Sequence, residues 1–512
     1  MSASASKKKR KELEEQGLSP KAIAAKKDKE KKQKLLRNIL IVVLCVAVAA
    51  AAVFAVISLV NRPSYDTSAA LATVGDEKIT VPVYDIFYNS NASSLYNYGY
   101  SYFIQAGTPV SKQNNPFGEG TLEEFFKDNA ATAIQTAYNY YILAKEDAGF
   151  ELTKEQKDAI DTEIDAIKSA AETYGFPNVN SFLSRYYGEG CKLKDYETYL
   201  TVNAYSNAYY AKLQEEFAPS AEELKAAYDK DPNAFDQVNY TYAAVNAESK
   251  SVPVADSEAA EGDEDSENPT TAPTTTVFTD DAKAEAKEKA EGYKTEMPED
   301  ANTVSNNKAN AAAALNQEIA DWLFDAARKE GDVEVFSMNE EGTSYRTVRF
   351  NSRDNNDYFP VNANVITITK DKEGTELKEG EQSAKDKFDA LVKAVQDGMT
   401  DEAFSEAVTA LGQTASTSSI THNYSVEEIR TWLYDASRKA GDLLTTYESD
   451  TAYYLVRYVS TDEVSYRDTL VKNSLWEEKT NSLGSAKEIV FVEDMMQYAN
   501  TDLTFNSNTS GS

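Results

Sequence analysis

Histidine and cysteine are nearly absent from this sequence, which contains one histidine and two cysteines among its 512 residues. Cys45 lies in a long apolar run, so Cys191 is the only thiol in the remainder of the chain and has no partner for an intramolecular disulfide. Structural zinc sites and Cys/His nucleophilic catalysis both require several such side chains. The sequence therefore predicts a fold that packing stabilises, with no metal and no cofactor.

Basic residues are scarce beyond the N-terminus. The chain carries 52 Lys and Arg against 84 Asp and Glu, for a net charge of −32. Residues 1–37 hold 13 of the basic residues and 5 of the acidic ones, so their net charge is +8 and that of the remainder is −40. Because contacts with phosphate require a positive surface, we expect no nucleic-acid partner for this remainder.

A single long apolar run, Ile39–Val60, follows the basic segment and contains no charged residue. A helix of this length would span about 33 Å, which is enough to cross a bilayer. The lysine excess before it predicts residues 1–37 as a cytoplasmic tail, 38–61 as a transmembrane helix, and an extracytoplasmic remainder. A cleavable signal peptide is the alternative, although its apolar region is usually about 7–15 residues long. We therefore expect a single-pass protein of the cell membrane.

One motif occurs twice in the C-terminal half. Ile319–Asp332 (IADWLFDAARKEGD) and Ile429–Asp442 (IRTWLYDASRKAGD) share nine of fourteen residues, and each leads into a strand-like stretch, Tyr345–Phe350 or Tyr453–Tyr458. A repeat of this length indicates one structural module used twice. Each copy is predicted to run from a strand through helices to the tryptophan-containing helix, a Gly-Asp pair and two further strands. The tryptophan is expected to pack its helix onto the sheet.

The remaining residues give two kinds of local signal. Residues 65–235 show apolar side chains at helical spacing, most clearly in Thr121–Gly149, which begins with a capping signature. The pattern then changes, and Val238–Val245 and Val361–Ile368 have the β-branched and aromatic composition of strands. Ser249–Thr276 has almost no large apolar group and is predicted to be a disordered insert. The fold class that follows is α+β.

In this order, the elements resemble the membrane-associated parvulin-type foldases of the PrsA/SurA kind. Four stretches carry the resemblance: Leu71–Tyr88, Pro219–Val245, Ser383–Gly412 and Gly441–Val459. It implies a helical chaperone domain similar to the SurA N-terminal domain, two tandem parvulin-like α/β modules, and a C-terminal helix and tail. The implied boundaries are 65–235 for the helical domain, 236–358 for the first module with its insert at 249–276, 359–466 for the second module, and 467–512 for the C-terminal helix and tail.

The sequence departs from this family at the catalytic histidines, one of which lies in the first strand and the other in the last strand of an active parvulin. Tyr242 and Arg346 occupy these positions in the first module, and Val365 and Tyr454 occupy them in the second. Prolyl isomerisation requires a pocket that binds a twisted amide and needs no nucleophile, so the loss weakens catalysis without excluding it. The resemblance therefore implies first a chaperone. An active peptidyl-prolyl cis-trans isomerase and a non-catalytic cell-surface structural module are the alternatives.

Tyrosine is unusually frequent, with 32 residues in the chain. Tyrosine offers apolar area to a bound polypeptide and a hydroxyl that tolerates water when the site is empty. Tyr88, Tyr96, Tyr138 and Tyr141 of the helical domain are therefore candidates for contact with clients, which would be unfolded or partly folded secreted polypeptides. Packing between helices is the alternative role for the same side chains.

Overall fold

The structure is a computed structural model that describes residues 65–253, 274–372, 374 and 381–505. Over these residues the chain is α+β, with helices and four small antiparallel sheets, and it divides into two compact units. The predicted cytoplasmic tail and transmembrane helix lie outside the described residues. Within the part described, no helix is both long and apolar enough to cross a bilayer.

Most helices begin at a Ser, Thr or Asn whose side chain accepts a hydrogen bond from the first turn, which satisfies a backbone donor that would otherwise lack a partner. The helices of the described residues are α1 (Val81–Asn97), α2 (Leu122–Glu146), α3 (Lys154–Thr173), α4 (Val179–Tyr186), α5 (Leu193–Glu215), α6 (Ala221–Lys230), α7 (Asp280–Gly292), α8 (Lys308–Ala314), α9 (Gln317–Phe324), α10 (Ala384–Ala394), α11 (Asp401–Ala410), α12 (Glu427–Leu433) and α13 (Tyr466–Gly484).

The strands are short and all of their pairings are antiparallel. In chain order they are β1 (Ala70–Val74), β2 (Glu77–Thr80), β3 (Gln237–Asn246), β4 (Ser249–Pro253), β5 (Thr274–Phe278), β6 (Asn302–Asn306), β7 (Val333–Ser337), β8 (Ser344–Asp354), β9 (Val361–Thr369), β10 (Thr417–Ile420), β11 (Leu443–Glu448), β12 (Ala452–Thr461) and β13 (Ile489–Phe491).

The helical unit comprises the chain up to Ala218 together with the residues from Trp476 onward. Its core lies between α1, α2 and α5, where Phe126, Ile134 and Tyr84 are fully buried. The C-terminal residues complete this unit, because β13 pairs with β1 in a three-stranded sheet of order β13-β1-β2. The first of the two segments that form this unit therefore ends at residue 218 rather than at 235. Helix α6 belongs to the other unit.

The second unit, Pro219–Leu475, contains two four-stranded sheets with the same connectivity. The first module has the strand order β6-β3-β8-β7, and the second has β10-β9-β12-β11. In each sheet the first strand of the module is central, the second strand lies at its edge, and the closing hairpin completes the other side. The helix that carries the tryptophan, α9 or α12, packs against one face of its sheet.

The repeated motif forms the same turn in both modules. Each tryptophan is partly buried and lies under an arginine of the motif, with the Arg328 guanidinium 4.9 Å from the ring of Trp322 and the Arg438 guanidinium 4.9 Å from that of Trp432. The motif glycine has a positive φ in both copies and donates its N–H to the last strand of its module. It lies seven residues beyond the end of α9 in the first copy and eight residues beyond the end of α12 in the second, so it caps neither helix.

The predicted disordered insert is ordered at both of its ends. Residues 249–253 and 274–278 form a two-stranded antiparallel sheet, β4-β5, in which Val252 pairs with Thr275 and Lys250 pairs with Val277. The prediction is therefore wrong for 249–253 and 274–276, where Val and Thr side chains favour strands. The middle of the insert, 254–273, lies outside the described residues.

Candidate functional site

The four positions equated with catalytic histidines lie on the sheet faces that the tryptophan helices cover. Tyr242 packs against the core that contains Trp322, and Val365 and Tyr454 pack against the core that contains Trp432. Arg346 pairs with Phe336 of the same core, and its guanidinium donates a hydrogen bond to the carbonyl of Tyr345 at 3.1 Å. The two positions of each module are therefore neighbours in space. They hold phenol, guanidinium and isopropyl groups, none of which exchanges protons near neutral pH as imidazole does.

Two of the four candidate tyrosines belong to the core of the helical unit. Tyr88 is fully buried and its hydroxyl donates to the carbonyl of Thr501 at 2.6 Å. Tyr138 is 1% exposed, and its hydroxyl has no hydrogen-bond partner among the described residues. Burial raises the pKa of both phenols above the usual value. Both side chains pack helices, and neither is accessible to a client in this structure.

The other two candidate tyrosines are partly buried. Tyr96 stacks on Phe505 with ring centroids 4.6 Å apart. Tyr141 meets Tyr138 and Tyr205 edge to face, and the ammonium of Lys145 lies 4.9 Å above its ring. Each of these rings therefore has one side engaged in packing and offers only its remaining surface to solvent.

An exposed group of aromatic side chains lies next to these tyrosines in the helical unit, between α1 and the first turn of α2. Phe117 lies at its centre, with ring centroids 4.9 Å from Tyr100, 5.2 Å from Phe103 and 5.2 Å from Phe125, and Phe103 in turn meets Tyr102 at 5.6 Å. We call these five side chains the aromatic patch. Tyr102 is 90% exposed, Phe103 51% and Phe117 46%, so three neighbouring rings present about half or more of their area to water.

The backbone that carries the aromatic patch is fixed from both sides. Gly99, with φ near 109°, turns the chain away from the direction of α1. A short 3₁₀ turn follows at Tyr100–Phe103. The buried amide of Gln113 then clamps the loop. Its Oε1 accepts from the N–H of Gln105 at 2.7 Å, and its Nε2 donates to the carbonyl of Thr108 at 2.7 Å. The exposed rings thus stand on an ordered loop.

The C-terminal residues also hold this loop. Val110 donates its N–H to the carbonyl of Leu503 at 2.9 Å, and Gly107 donates to that of Phe505 at 2.7 Å. The ring of Phe505 stacks on Tyr96 and lies 6.0 Å from Phe126, which in turn contacts Phe125 of the patch. Residues separated by about four hundred positions in sequence therefore build one aromatic surface.

The loop that supports the aromatic patch is poor in charge. Residues 97–120 contain only Lys112 and Glu119 as charged side chains, whereas 27% of the whole chain is charged. Neighbouring exposed aromatic rings make this loop a candidate surface for contact with another molecule. The absence of a carboxylate excess allows an apolar segment of any net charge to approach.

The only histidine of the chain lies in the second unit, where the two modules meet. His422 Nδ1 is 2.8 Å from Asp354 Oδ2, and the imidazole stacks on Tyr358 with centroids 3.4 Å apart. A polar cleft of about 410 Å³ adjoins it, lined also by Arg430 and Tyr434. These contacts tie His422 to the last strand of the first module and to the linker between the modules.

Comparison with protein-family models and with curated proteins finds no match for this chain. Over the residues described, no group of His, Cys, Asp and Glu is arranged to hold a metal ion. The aromatic patch remains a candidate surface for binding another molecule.

Proposed function

We propose that this chain is an extracytoplasmic chaperone, anchored in the cell membrane by Ile39–Val60, that binds unfolded or partly folded secreted polypeptides. In this proposal the helical unit corresponds to the chaperone domain of the parvulin-type foldases and the two modules correspond to degenerate parvulin domains. The observation that carries the proposal is the aromatic patch of the helical unit, with Tyr102, Phe103 and Phe117 exposed on a loop that hydrogen bonds hold in place.

The chemistry of the aromatic patch fits an unfolded client better than a folded one. Phenylalanine rings bury apolar side chains of the client, and the Tyr102 hydroxyl remains hydrated when no client is bound. A shallow surface of a few rings gives each bound segment little energy, so that holding a chain depends on several weak contacts and release remains possible. The acidic surface of the rest of the chain keeps the protein soluble while the patch is exposed.

Catalysis of prolyl isomerisation has less support. Tyr242, Arg346, Val365 and Tyr454 pack in or beside the cores under the tryptophan helices, and they provide no pair of imidazoles. We therefore expect the full chain to accelerate isomerisation of a proline-containing tetrapeptide weakly or not at all. A robust acceleration that is lost on Tyr242→Phe or Tyr454→Phe would favour the isomerase instead.

The proposal is tested by suppression of client aggregation, measured as light scattering when a chemically unfolded protein is diluted into buffer with the full chain. The double variant Phe103→Ser/Phe117→Ser should lose most of the suppression. It should keep its melting temperature, because both side chains are about half exposed and contribute little to the core.

The matched control is Phe359→Ser, which removes a phenylalanine that is 50% exposed in the other unit. This variant should suppress aggregation as well as the natural chain does. Equal loss in both variants would mean that suppression arises from general surface hydrophobicity, and full activity of the double variant would show that clients bind elsewhere.

A further inference from the structure

The two modules carry matching rows of side chains across their sheets, on the face opposite the tryptophan helix. Strand pairing defines each row, because residues directly opposite one another point to the same face. The row of the first module is Thr303, Thr241, Arg349 and Val333, and the row of the second module is Thr417, Asn364, Arg457 and Leu443. Both rows therefore place one arginine at the centre of the same face.

In the second module, the segment that begins α11 covers this arginine. The Arg457 guanidinium donates to the Met399 carbonyl at 2.8 Å, lies 2.7 Å from Asp401 Oδ1 and sits 5.1 Å from the centre of the Phe404 ring. As a result the whole residue is only 2% exposed. A carbonyl, a carboxylate and an aromatic ring from one short segment thus contact the guanidinium, whose buried Nε has no hydrogen-bond partner among the described residues.

Among its described residues, which do not include 254–273, the first module has no helix at the corresponding place. Its helix α7 covers the other half of this face, packing on Val245 and Tyr345, and the chain passes from α7 to β6 through a loop. Arg349 remains partly exposed, and within the described ranges its guanidinium has no hydrogen bond, ion pair or ring contact. The described residues of the first module therefore leave open the position that α11 fills in the second.

The neighbours of Arg349 on this face are neutral and largely satisfy one another. The hydroxyls of Thr241 and Thr303 are 2.8 Å apart, and Asn351 Nδ2 donates to Thr241 Oγ1 at 3.0 Å. Asn239 Nδ2 donates to Ser305 Oγ at 2.9 Å in the next row. The group on this face that lacks a partner among the described residues is thus the Arg349 guanidinium. A guanidinium binds a carboxylate with two parallel hydrogen bonds.

We propose that the open face of the first module is a docking site for an acidic peptide segment of another polypeptide, whose carboxylate pairs with Arg349. The second module indicates the form of this segment, because Met399–Phe404 supplies a carboxylate and, three residues later, an aromatic ring. This site is separate from the aromatic patch and does not depend on the proposed function. It selects for a carboxylate, whereas the patch accepts apolar segments generally.

The test uses a fluorescent synthetic peptide with the sequence of residues 396–411, which contains α11, titrated into the full chain and followed by fluorescence anisotropy. We expect saturable binding that is at least tenfold weaker for Arg349→Gln, and equally weaker when the peptide carries Asp401→Asn. Arg349→Lys should retain part of the affinity, because it keeps the charge and loses the planar fork. The matched control is Lys308→Gln, which removes a cation of the same module that is paired with Asp321, and it should bind normally.

Several outcomes would overturn the proposal. Absence of binding, or equal binding by the natural chain and by Arg349→Gln, would show that the face does not take this ligand. Loss of binding in Phe103→Ser/Phe117→Ser would show that the aromatic patch holds the peptide as a client. A dimer of the natural chain that Arg349→Gln converts to a monomer in sedimentation would assign the face to a second copy. Thermal unfolding of Arg349→Gln should match that of the natural chain, which confirms that the variant is folded.

Discussion

The second module covers both faces of its sheet, whereas the part of the first module that the structure describes leaves half of one face open. Phe404 and Val408 of α11 pack over Ile366 and Leu455 in the second module, and the arginine of the row is buried beneath them. In the first module the equivalent arginine is partly exposed among hydroxyl and amide side chains. The repeat therefore preserves the sheet and the tryptophan helix, while the helices after the first strand differ.

The comparison also shows that one residue type can serve two purposes at equivalent positions. Arg457 is held by its own module and contributes to stability, whereas Arg349 contributes little to stability and is available to a ligand. A difference in one helix, and no difference in the sheet, decides which role applies.

The largest effect is expected at the shared tryptophans. Trp322→Ala and Trp432→Ala should each destabilise their own module by roughly 2–4 kcal/mol, below the range for fully buried rings because both are partly exposed. Hydrogen exchange of the strand amides measures this loss module by module. A variant that keeps full protection in its module would show that the tryptophan does not hold its helix on the sheet.

The arginines at the centres of the two rows, Arg457 and Arg349, should differ sharply in their contribution to stability. Arg457→Ala removes a buried side chain with its hydrogen bonds and ring contact and should cost roughly 2–3 kcal/mol in the second module. Arg349→Ala should change the stability of the first module by no more than about 0.5 kcal/mol. Similar losses in both variants, measured by the same exchange experiment, would mean that Arg349 has a structural partner and that the face is not open.

The arginines above the tryptophans should behave alike. Arg328→Gln and Arg438→Gln each remove a guanidinium 4.9 Å from an indole ring, and each should cost about 0.5–1 kcal/mol. Denaturant titration of the two variants, monitored by tryptophan fluorescence, compares them directly. A clear difference between them would show that the repeated turn is not equivalent in the two modules.

The smallest effect is expected at an ion pair that only the first module has. The ammonium of Lys294, 2.8 Å from Glu334 Oε1, lowers the pKa of that carboxyl, and Leu444 occupies the equivalent position in the second module. A carboxyl whose pKa is lowered by folding contributes stability at pH values above its ordinary pKa. This contribution is lost as the pH falls through the lowered pKa. Because the pair is partly exposed, Glu334→Gln should cost at most about 0.5 kcal/mol at neutral pH. The difference in stability between Glu334→Gln and the natural chain should vanish in acid. A difference that grows in acid would contradict the lowered pKa of Glu334.

Much of the fold could be predicted from local sequence signals. The repeated motif predicted two modules, and each contains a four-stranded sheet. The strand-like stretches Val238–Val245 and Val361–Ile368 fall within β3 and β9. The capping signature of Thr121 marks the start of α2, where Glu124 completes a capping box. These features depend on residues close together in sequence, which is why patterns reveal them.

Features that depend on distant residues escaped prediction. The pairing of β13 with β1 joins strands about four hundred residues apart, and no local pattern specifies it. The frequency of tyrosine predicts Tyr88 as a contact residue, but composition does not separate a buried ring from an exposed one, and every residue of Val81–Asn89 is buried. The tyrosine-rich stretch was noticed, but which of its rings are exposed depends on the clamp by Gln113 and by the C-terminal residues.

The most direct test of the account asks which surface touches a client. A benzophenone-bearing phenylalanine analogue is placed at Tyr102, which is 90% exposed in the aromatic patch, or at Phe359, which is 50% exposed in the unit that contains the modules. The full chain is irradiated in the presence of an unfolded radiolabelled protein, and cross-linked product is quantified. The account predicts strong cross-linking from position 102 that competing unfolded protein reduces, with only background from position 359. Equal cross-linking from both positions, or stronger cross-linking from 359, would contradict it.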